Sequence, residues 1–339
     1  MNTVVLFGGT GFIGTHLAQH LLQIDAGVTV VLVDISQPRH ASYTHILDAA
    51  LNSGRAIYRK HDVRMPIPSD LLPDSADLVF NLAAVHREPG HERNEYFDTN
   101  LPGAENICAW AAATGGGTVV FTSSISPYGP SEEKKTEASP PAPATAYGES
   151  KLAAEKIHLA WQAAQPERRL LILRPGVVFG PGEGGNVTRL VRSVVKGYFA
   201  YLGNRRTIKA AGYVKELCRV AMFGLNALRA SGAGSLLLNF TMDPPPTMEQ
   251  MVEAAVATIG KKRRPLSLPA WMMLAASYPM SVAESVTGVT FPINRVRVRK
   301  LIRSNNVWPE GLRSLGYQYQ YTLQSAFEDW KRDCPEDFS

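Results

Sequence analysis

The 339-residue sequence has few cysteines, little excess charge and no long apolar run, and each shortage excludes a class of protein. Its three cysteines lie far apart without metal-binding spacing or a signal peptide, which predicts a reduced chain in the cytoplasm. The formal charge of +5 is compatible with an anionic ligand and too small to indicate nucleic acid. The longest apolar stretch, residues 269–283, is shorter than the ~20 residues of a membrane-spanning helix, so no stable membrane insertion is expected.

Short apolar runs alternate with stretches of helical spacing through the first half of the chain. The apolar runs are residues 3–9, 29–34, 77–84, 117–124 and 169–176, with shorter strand candidates at 56–60 and 235–240. The helical stretches are residues 13–23, 103–113 and 147–162. This alternation is typical of βαβ units, and runs that are apolar along their whole length fit a sheet buried on both faces.

The alternation predicts an α/β fold, a Rossmann-type doubly wound parallel sheet with a smaller, interleaved C-terminal substrate domain. The predicted NAD-binding domain spans residues 1–178, and 235–242 return to its sheet. The predicted substrate-binding domain spans 179–234 and 243–339, where the alternation breaks down and proline and basic residues become more frequent.

The first apolar run leads into "GGTGFIG", in which Gly8, Gly11 and Gly14 are spaced three apart between a strand and a helix. Gly8 allows the tight turn, Gly11 lets a pyrophosphate approach the helix N-terminus, and Gly14 permits close helix–strand packing. Asp34 ends the second run, twenty residues after Gly14, where a carboxylate binds both ribose hydroxyls of adenosine and repels a 2′-phosphate. The pattern predicts NAD as the cofactor. NADP is the alternative, because Arg39 lies nearby in the sequence.

Further cofactor contacts are predicted around this motif. Phe12 and Ile13 lie inside it, at the start of the helix. Asp62 follows the strand candidate "AIYRK" together with Val63, and its carboxylate has two interpretations: a contact with the adenine amino group, or the cap of a turn.

Tyr147 and Lys151 stand four residues apart and so share one face of a helix. A free tyrosine has a pKa of about 10 and is a poor base at neutral pH, but a nearby ammonium favours the phenolate. A serine hydroxyl from "SSIS" (residues 123–126), at a neighbouring strand end, can bind the same substrate oxygen. Beside a dinucleotide-binding turn, this set predicts a proton relay rather than a surface pair.

The chain resembles the extended short-chain dehydrogenase/reductases, in particular the NAD-dependent epimerase/dehydratase group. The resemblance rests on "GGTGFIG", "NLAA", "DTN", "SSISPYG", "YGESK" and "LRPGVVFGPG", which occur in the family's order over most of the chain. It implies that Tyr147 is the acid/base and that Lys151 favours its phenolate and bonds the nicotinamide ribose. It also implies that Ser124 is the catalytic hydroxyl, with Ser123 and Ser126 as helpers. The further cofactor contacts that it implies are Leu82, Ala83, Ala84, Asn100, Pro175, Val177 and Val178.

By the same resemblance, the substrate is a sugar attached to a nucleoside diphosphate. The substrate contacts that it implies are His86, Arg87, Ser124, Ser126, Asn186, Arg189 and Arg297, with Arg192 as a helical neighbour. His86 and His91 are not expected to hold a metal, because no third ligand stands at a suitable spacing. The resemblance also implies a homodimer formed through helices near residues 100–114 and 147–163.

The chemistry is predicted from what stands around the catalytic hydroxyl. Dehydratases of the family place an acid pair directly after it, whereas Ile125 and Ser126 follow Ser124 here, which argues against dehydration. We therefore expect a UDP-sugar 4-epimerase. Many sugar epimerases have an asparagine where this chain has Val177, so a 4-keto-sugar reductase is the alternative function. A steroid-type dehydrogenase, suggested by the apolar residues 269–280, and a redox-inactive NAD-binding module are further alternatives.

Overall fold

The computed structural model describes residues 2–87, 90–115, 117–260, 265–269 and 303–339. Its strands are β1 (Thr3–Phe7), β2 (Thr29–Asp34), β3 (Ala56–Lys60), β4 (Leu78–Asn81), β5 (Thr118–Thr122), β6 (Ser131–Lys135), β7 (Arg169–Pro175), β8 (Val177–Phe179), β9 (Ala200–Leu202), β10 (Ala211–Tyr213), β11 (Ser235–Phe240), β12 (Leu266–Leu268) and β13 (Asn305–Val307). Its α-helices are α1 (Phe12–Ile24), α2 (His45–Ser53), α3 (Arg93–Ala113), α4 (Ala146–Ala163), α5 (Asn186–Lys196), α6 (Val214–Ser231), α7 (Met248–Ile259), α8 (Glu310–Ser314) and α9 (Leu323–Asp333). Short 3-10 helices cover Ser42–Thr44, Ser126–Tyr128 and Pro335–Phe338.

The architecture is organised around one parallel sheet of seven strands in the order β3-β2-β1-β4-β5-β7-β11. The predicted doubly wound α/β fold is confirmed. Because the strand order reverses between β1 and β4, the loops after these two strands diverge and leave a crevice at the carboxyl edge of the sheet. Residues 235–240 form the last strand, β11, beside β7.

Both faces of the sheet are buried, which explains why its strands are apolar along their whole length. Val4 and Leu6 of β1 belong to the core beneath α1, α2 and α6, whereas Val5 and Phe7 face the core beneath α3 and α4. On the second face the ring of Phe7 meets the edge of Trp110 of α3, with 5.6 Å between the ring centroids.

A third core lies beyond the sheet and joins β8, β10, α5, α7 and α9. Its centre is aromatic, with Phe179 packed against Phe327 and Trp330. However, α6, which the sequence division places in the substrate-binding domain, packs on the central sheet through Leu217 and Leu225. The domain division at residue 178 stays a prediction, and the packing of α6 shows that the segment after residue 178 also contributes to the core of the central sheet.

None of the helices in the described ranges combines the length and the apolar character that crossing a membrane requires. Residues 270–283 of the apolar stretch and Arg297, which the sequence analysis singles out, lie outside the described residues.

Candidate active site

The turn after β1 is shaped to receive a phosphate group. Gly8 has a φ of +79°, and its N–H donates to the carbonyl of Val33 at 2.8 Å. A Cβ on Gly8 would lie 2.7 Å from the amide nitrogen of Ala83, and one on Gly14 would lie 2.4 Å from the Gly8 oxygen. Gly11 caps α1 without a side chain, and the first turn of the helix carries no acidic residue. The N–H groups of this helix end are therefore accessible to an anion, which fits the pyrophosphate of NAD.

Asp34 stands beside this turn, at the carboxyl end of β2. Its Oδ2 accepts a hydrogen bond from the amide of Thr10 at 3.3 Å, and its Oδ1 accepts from the amide of Ser36 at 3.3 Å. The carboxylate is thus held at the rim of the phosphate-binding turn, where the fit to the ribose of NAD requires it.

Asp62 and Val63 lie just after β3, in different environments. The Asp62 carboxylate accepts from Nε of Arg64 at 3.0 and 2.9 Å and from its Nη2 at 2.6 Å, and these hydrogen bonds lower the pKa of Asp62. Val63 is buried against Gly103 of α3, and its carbonyl accepts from Asn106 Nδ2 at 2.9 Å. An adenine contact by Asp62 stays a prediction, since the carboxylate here holds an arginine.

Further cofactor contacts are predicted at the carboxyl ends of β4 and β7. Leu82 donates its N–H to the Phe7 carbonyl at 2.8 Å, and both Leu82 and Ala83 lie directly against Gly8. Ala84 follows them in the chain. Pro175 ends β7, and after one glycine Val177 and Val178 continue as the partly buried strand β8. The cofactor contacts expected of all these residues stay predictions.

The catalytic side chains predicted from the sequence lie on adjoining elements. Thr145 caps α4 by accepting from the amide of Gly148 at 3.2 Å, which starts the helix just before Tyr147. A Cβ on Gly148 would lie 2.7 Å from the carbonyl oxygen of Ser126, so the first turn of α4 rests directly on the serine segment. There, Ser124 Oγ donates to Ser126 Oγ at 3.1 Å and accepts from the Ser126 amide at 3.1 Å. The structure therefore brings the hydroxyls of this segment next to the helix turn that carries Tyr147.

Lys151 is 2% exposed, and its ammonium lies over the ring of Phe121 of β5, 4.3 Å from the ring centroid. Burial lowers the pKa of Lys151 to about 7, and the Glu155 carboxylate one turn later opposes this shift. The aromatic face and the carboxylate attract the ammonium without an exposed counterion.

Glu155 was not predicted from the sequence as a site residue, yet it joins three elements of the site. Its carboxylate accepts from Ser123 Oγ at 2.5 Å, and from Nε and Nη2 of Arg174 at 2.8 and 2.6 Å. The Arg174 guanidinium also covers the ring of Tyr128, 4.6 Å from its centroid. This buried ion pair holds α4, the carboxyl end of β5 and the carboxyl end of β7 in one arrangement.

Asn100 connects the loop after β4 to α4. Its Oδ1 accepts from the amide of Val85 at 2.9 Å, and its Nδ2 donates to Ser150 Oγ at 2.9 Å. Ser150 Oγ in turn donates to the carbonyl of Tyr147 at 2.9 Å. These contacts show what the Asn100 amide binds, and its expected cofactor contact stays a prediction.

The predicted substrate contacts are dispersed. His86 and Arg87 are exposed on the loop after β4. Asn186 begins α5 and accepts from Arg189 Nη2 at 2.7 Å, so these two exposed side chains bind each other. Arg192, the predicted helper, pairs with Asp337 at 2.8 Å. Arg297 lies outside the described residues.

His16, which the sequence analysis did not single out, ties the loop before α5 to the cofactor side. It is buried in α1, and its Nε2 donates to the carbonyl of Pro181 at 2.8 Å. Burial lowers the pKa of His16 to about 4, so the imidazole is neutral and Nδ1 carries no proton. Its ring stacks on Tyr43 with 5.4 Å between centroids. The sequence contains only one sign of this role, because His16 is a polar residue on the buried side of a helix.

Three comparisons with known proteins agree with this geometry. The model of the NAD dependent epimerase/dehydratase family matches residues 4–237. The chain is 28% identical over 328 residues to the N-acetyl-alpha-D-glucosaminyl-diphospho-ditrans,octacis-undecaprenol 4-epimerase of Escherichia coli O157:H7, a match that covers 96% of this chain and 93% of that protein. It is 28% identical over 240 residues to the UDP-glucose 4-epimerase of Neisseria meningitidis serogroup B, which covers 69% of this chain and 68% of that protein. The structure of UDP-glucuronic acid 4-epimerase from Bacillus cereus in complex with NAD shares the fold, with a TM-score of 0.75, 18% identity and coverage of 99% of this chain and 100% of that chain.

Replacing Asp34 tests its role in cofactor choice. In Asp34→Ser, the loss of the carboxylate removes its repulsion of a 2′-phosphate and its hydrogen bonds to the ribose hydroxyls. We expect the ratio of the NADP Kd to the NAD Kd, measured by isothermal titration calorimetry, to fall about tenfold or more. The exposed Asp70 supplies the control Asp70→Ser, which should leave the ratio unchanged. An unchanged ratio in Asp34→Ser would contradict the assignment.

Replacing Lys151 tests the cost of its burial. Since its pKa falls from 10.5 to about 7 on folding, the unfolded state binds more protons between these values, and stability should rise with pH across this window. Each pKa unit corresponds to about 1.4 kcal/mol, so Lys151→Met should raise the free energy of unfolding by a few kcal/mol below pH 7. The gain should shrink towards pH 10.5.

Urea unfolding at about pH 6 and about pH 10 measures this difference. Lys156→Met is the matched control, because Lys156 is exposed on the same helix. The interpretation is wrong if both variants change stability equally, or if the effect of Lys151→Met is the same at the two pH values.

Proposed function

The chain belongs to the NAD dependent epimerase/dehydratase family and is an NAD-dependent enzyme; we propose that it inverts C4 of a sugar carried on a diphosphate, most simply a UDP-sugar. The observation that carries this proposal is the contact between α4 and the serine segment. Gly148 of α4 packs on Ser126, which the Ser124 hydroxyl contacts, and this supports a site shared by Ser124 and Tyr147 at the carboxyl edge of the sheet. Both curated relatives described above are named as 4-epimerases.

Each catalytic side chain has a distinct part in the proposed reaction. The phenolic oxygen of Tyr147 takes the proton from the C4 hydroxyl, while Ser124 Oγ donates a hydrogen bond to the same substrate oxygen. Bound NAD supplies a reversible hydride acceptor for C4. The ammonium of Lys151, one helical turn from Tyr147, favours the phenolate before the reaction. After the sugar has presented its other face, Tyr147 returns the proton to the C4 oxygen.

The surroundings of Ser124 support epimerisation over dehydration. An elimination of water needs an acid next to the catalytic hydroxyl, but the following residue is Ile125. Ile125 is buried, and its amide donates to the carbonyl of Pro175 at 3.0 Å. This residue therefore belongs to the core beneath the site and offers no proton to a leaving group.

The group that carries the sugar could also be a lipid diphosphate instead of UDP. The match to the Escherichia coli O157:H7 protein, whose name specifies an N-acetylglucosaminyl diphosphate joined to undecaprenol, covers nearly the full length of both chains. A polyprenyl diphosphate and UDP present the same sugar-diphosphate linkage to the site. We therefore hold a lipid-linked N-acetylhexosamine as the alternative substrate. The predicted homodimer stays a prediction.

The test is an incubation of the purified protein with UDP-glucose, UDP-N-acetylglucosamine, UDP-glucuronic acid and a polyprenyl-diphosphate N-acetylglucosamine in detergent. Products are identified by NMR with a trace of NAD and without reductant. We expect the C4 epimer of at least one of these compounds, and which one reacts decides the carrier. Stoichiometric NAD(P)H consumption on a 4-keto sugar, with no epimer formed, would instead indicate the reductase.

Tyr147→Phe tests the acid/base assignment. Loss of the phenolic oxygen should lower kcat by about 10²-fold or more, because general acid–base catalysis contributes about 10²–10⁴-fold. The Kd for NAD should stay within about threefold, since the ring remains. Tyr198→Phe, at an exposed tyrosine, is the control that should keep full activity. Wild-type turnover in Tyr147→Phe would contradict the acid/base assignment, whereas an absence of turnover in both proteins would favour a redox-inactive NAD-binding module.

A further inference from the structure

Tyr96 is a buried residue in the first turn of α3 that the mechanism above does not use. It is 2% exposed, and its ring lies against the ring of Tyr147 with 6.0 Å between the centroids and an interplanar angle of 51°. Its hydroxyl donates to the carbonyl of Arg87 at 2.5 Å. One side chain therefore contacts both the proposed acid/base and the loop after β4.

Tyr96 and Asn100 both join α3 to α4 and to the loop after β4. They stand four residues apart on α3 and so share one helix face. Each contacts α4, Tyr96 at Tyr147 and Asn100 at Ser150, three residues further along. Each also holds the loop after β4, because Asn100 binds both backbone groups of Val85 while Tyr96 binds the Arg87 carbonyl. The loop is thus held at two points that are two residues apart.

The environment of Tyr96 keeps its ring in place. The edge of His91 packs on it, with 5.8 Å between centroids at 77°. His91 Nδ1 binds Glu95 Oε2 at 2.8 Å. An ion pair of 2.5 Å between Arg93 and Glu149 also joins the starts of α3 and α4. Tyr147 is only partly buried, and the Tyr96 ring packed against it limits the positions of the Tyr147 phenol on that side.

We propose that Tyr96 is a positioning residue with two separable parts, the ring that orients the Tyr147 phenol and the hydroxyl that holds His86 and Arg87 against the sugar. The proposal rests on the proposed function, since it assigns the acid/base role to Tyr147. It differs from a purely structural role because the two parts act on different kinetic constants. The ring acts on the proton transfer, whereas the hydroxyl acts on substrate binding.

Two substitutions separate these parts. Tyr96→Phe keeps the ring and removes one hydrogen bond, so KM should rise about fivefold, the effect of about 1 kcal/mol, while kcat stays within about twofold. Tyr96→Leu also removes the ring and should lower kcat by about tenfold or more. Phe97→Leu is the matched control, because it removes an aromatic ring from the next position of the same helix. It should leave both constants within about twofold.

A readout without turnover makes the inference independent of the substrate. Trypsin cleaves after arginine, and the Arg87 side chain is exposed on the loop whose carbonyl Tyr96 holds. Cleavage after Arg87, followed by mass spectrometry on the full chain, should be at least about threefold faster in Tyr96→Phe than in wild type or Phe97→Leu. Equal cleavage rates together with an unchanged KM would overturn the role of the hydroxyl. A kcat of Tyr96→Leu equal to that of wild type would overturn the role of the ring.

The failure of the proposed function is distinguishable from these outcomes. It would show as a wild-type protein that epimerises none of the sugar diphosphates, whereas the proteolysis result is obtained in either case. If the wild-type protein epimerises none of these compounds but cleavage after Arg87 is faster in Tyr96→Phe, the loop contact is supported and only the proposed substrate is wrong.

Discussion

The buried ion pair between Glu155 and Arg174 is the interaction on which the geometry of the site depends. Glu155 lies one turn after Lys151 on α4, Arg174 lies at the end of β7, and Ser123 completes the set from the end of β5. Removing one partner of a buried pair leaves an uncompensated charge, which typically costs about 3–5 kcal/mol. The pair therefore holds the serine segment, α4 and the end of β7 in one relative position. It also places a carboxylate near the buried ammonium of Lys151.

A second set of contacts holds the same helix from the other side. The α3 face that carries Tyr96 and Asn100 reaches both α4 and the loop after β4. The loop before α5 is joined to α1 by His16. In this arrangement, helices and strand ends support Tyr147, Lys151 and the serine segment. Such support suits the proposed epimerisation, in which one oxygen is held in place while the sugar presents either face of C4.

Much of the fold could be predicted because buried parallel strands leave a plain local signal. The strands at 29–34, 56–60 and 235–240 have the predicted bounds. The helix predicted at 103–113 begins ten residues earlier, at Arg93, because tertiary packing tolerates Pro102 within it. In the site, the glycines and the tyrosine–lysine pair have short spacings that a sequence displays. Glu155 and Arg174 are 19 residues apart on different elements, and Arg192 meets Asp337 across 145 residues, so only the folded chain reveals these pairs.

The central claim is that Tyr147 exchanges a proton with the C4 oxygen while the hydrogen on C4 never enters water. Its most direct test is the fate of deuterium placed at C4 of the substrate that the enzyme epimerises, followed by mass spectrometry of the epimer formed in ordinary water. The account predicts that the epimer keeps the deuterium at C4, because a bound nicotinamide carries it and returns it. Replacement of the deuterium by solvent hydrogen during epimerisation would contradict the account.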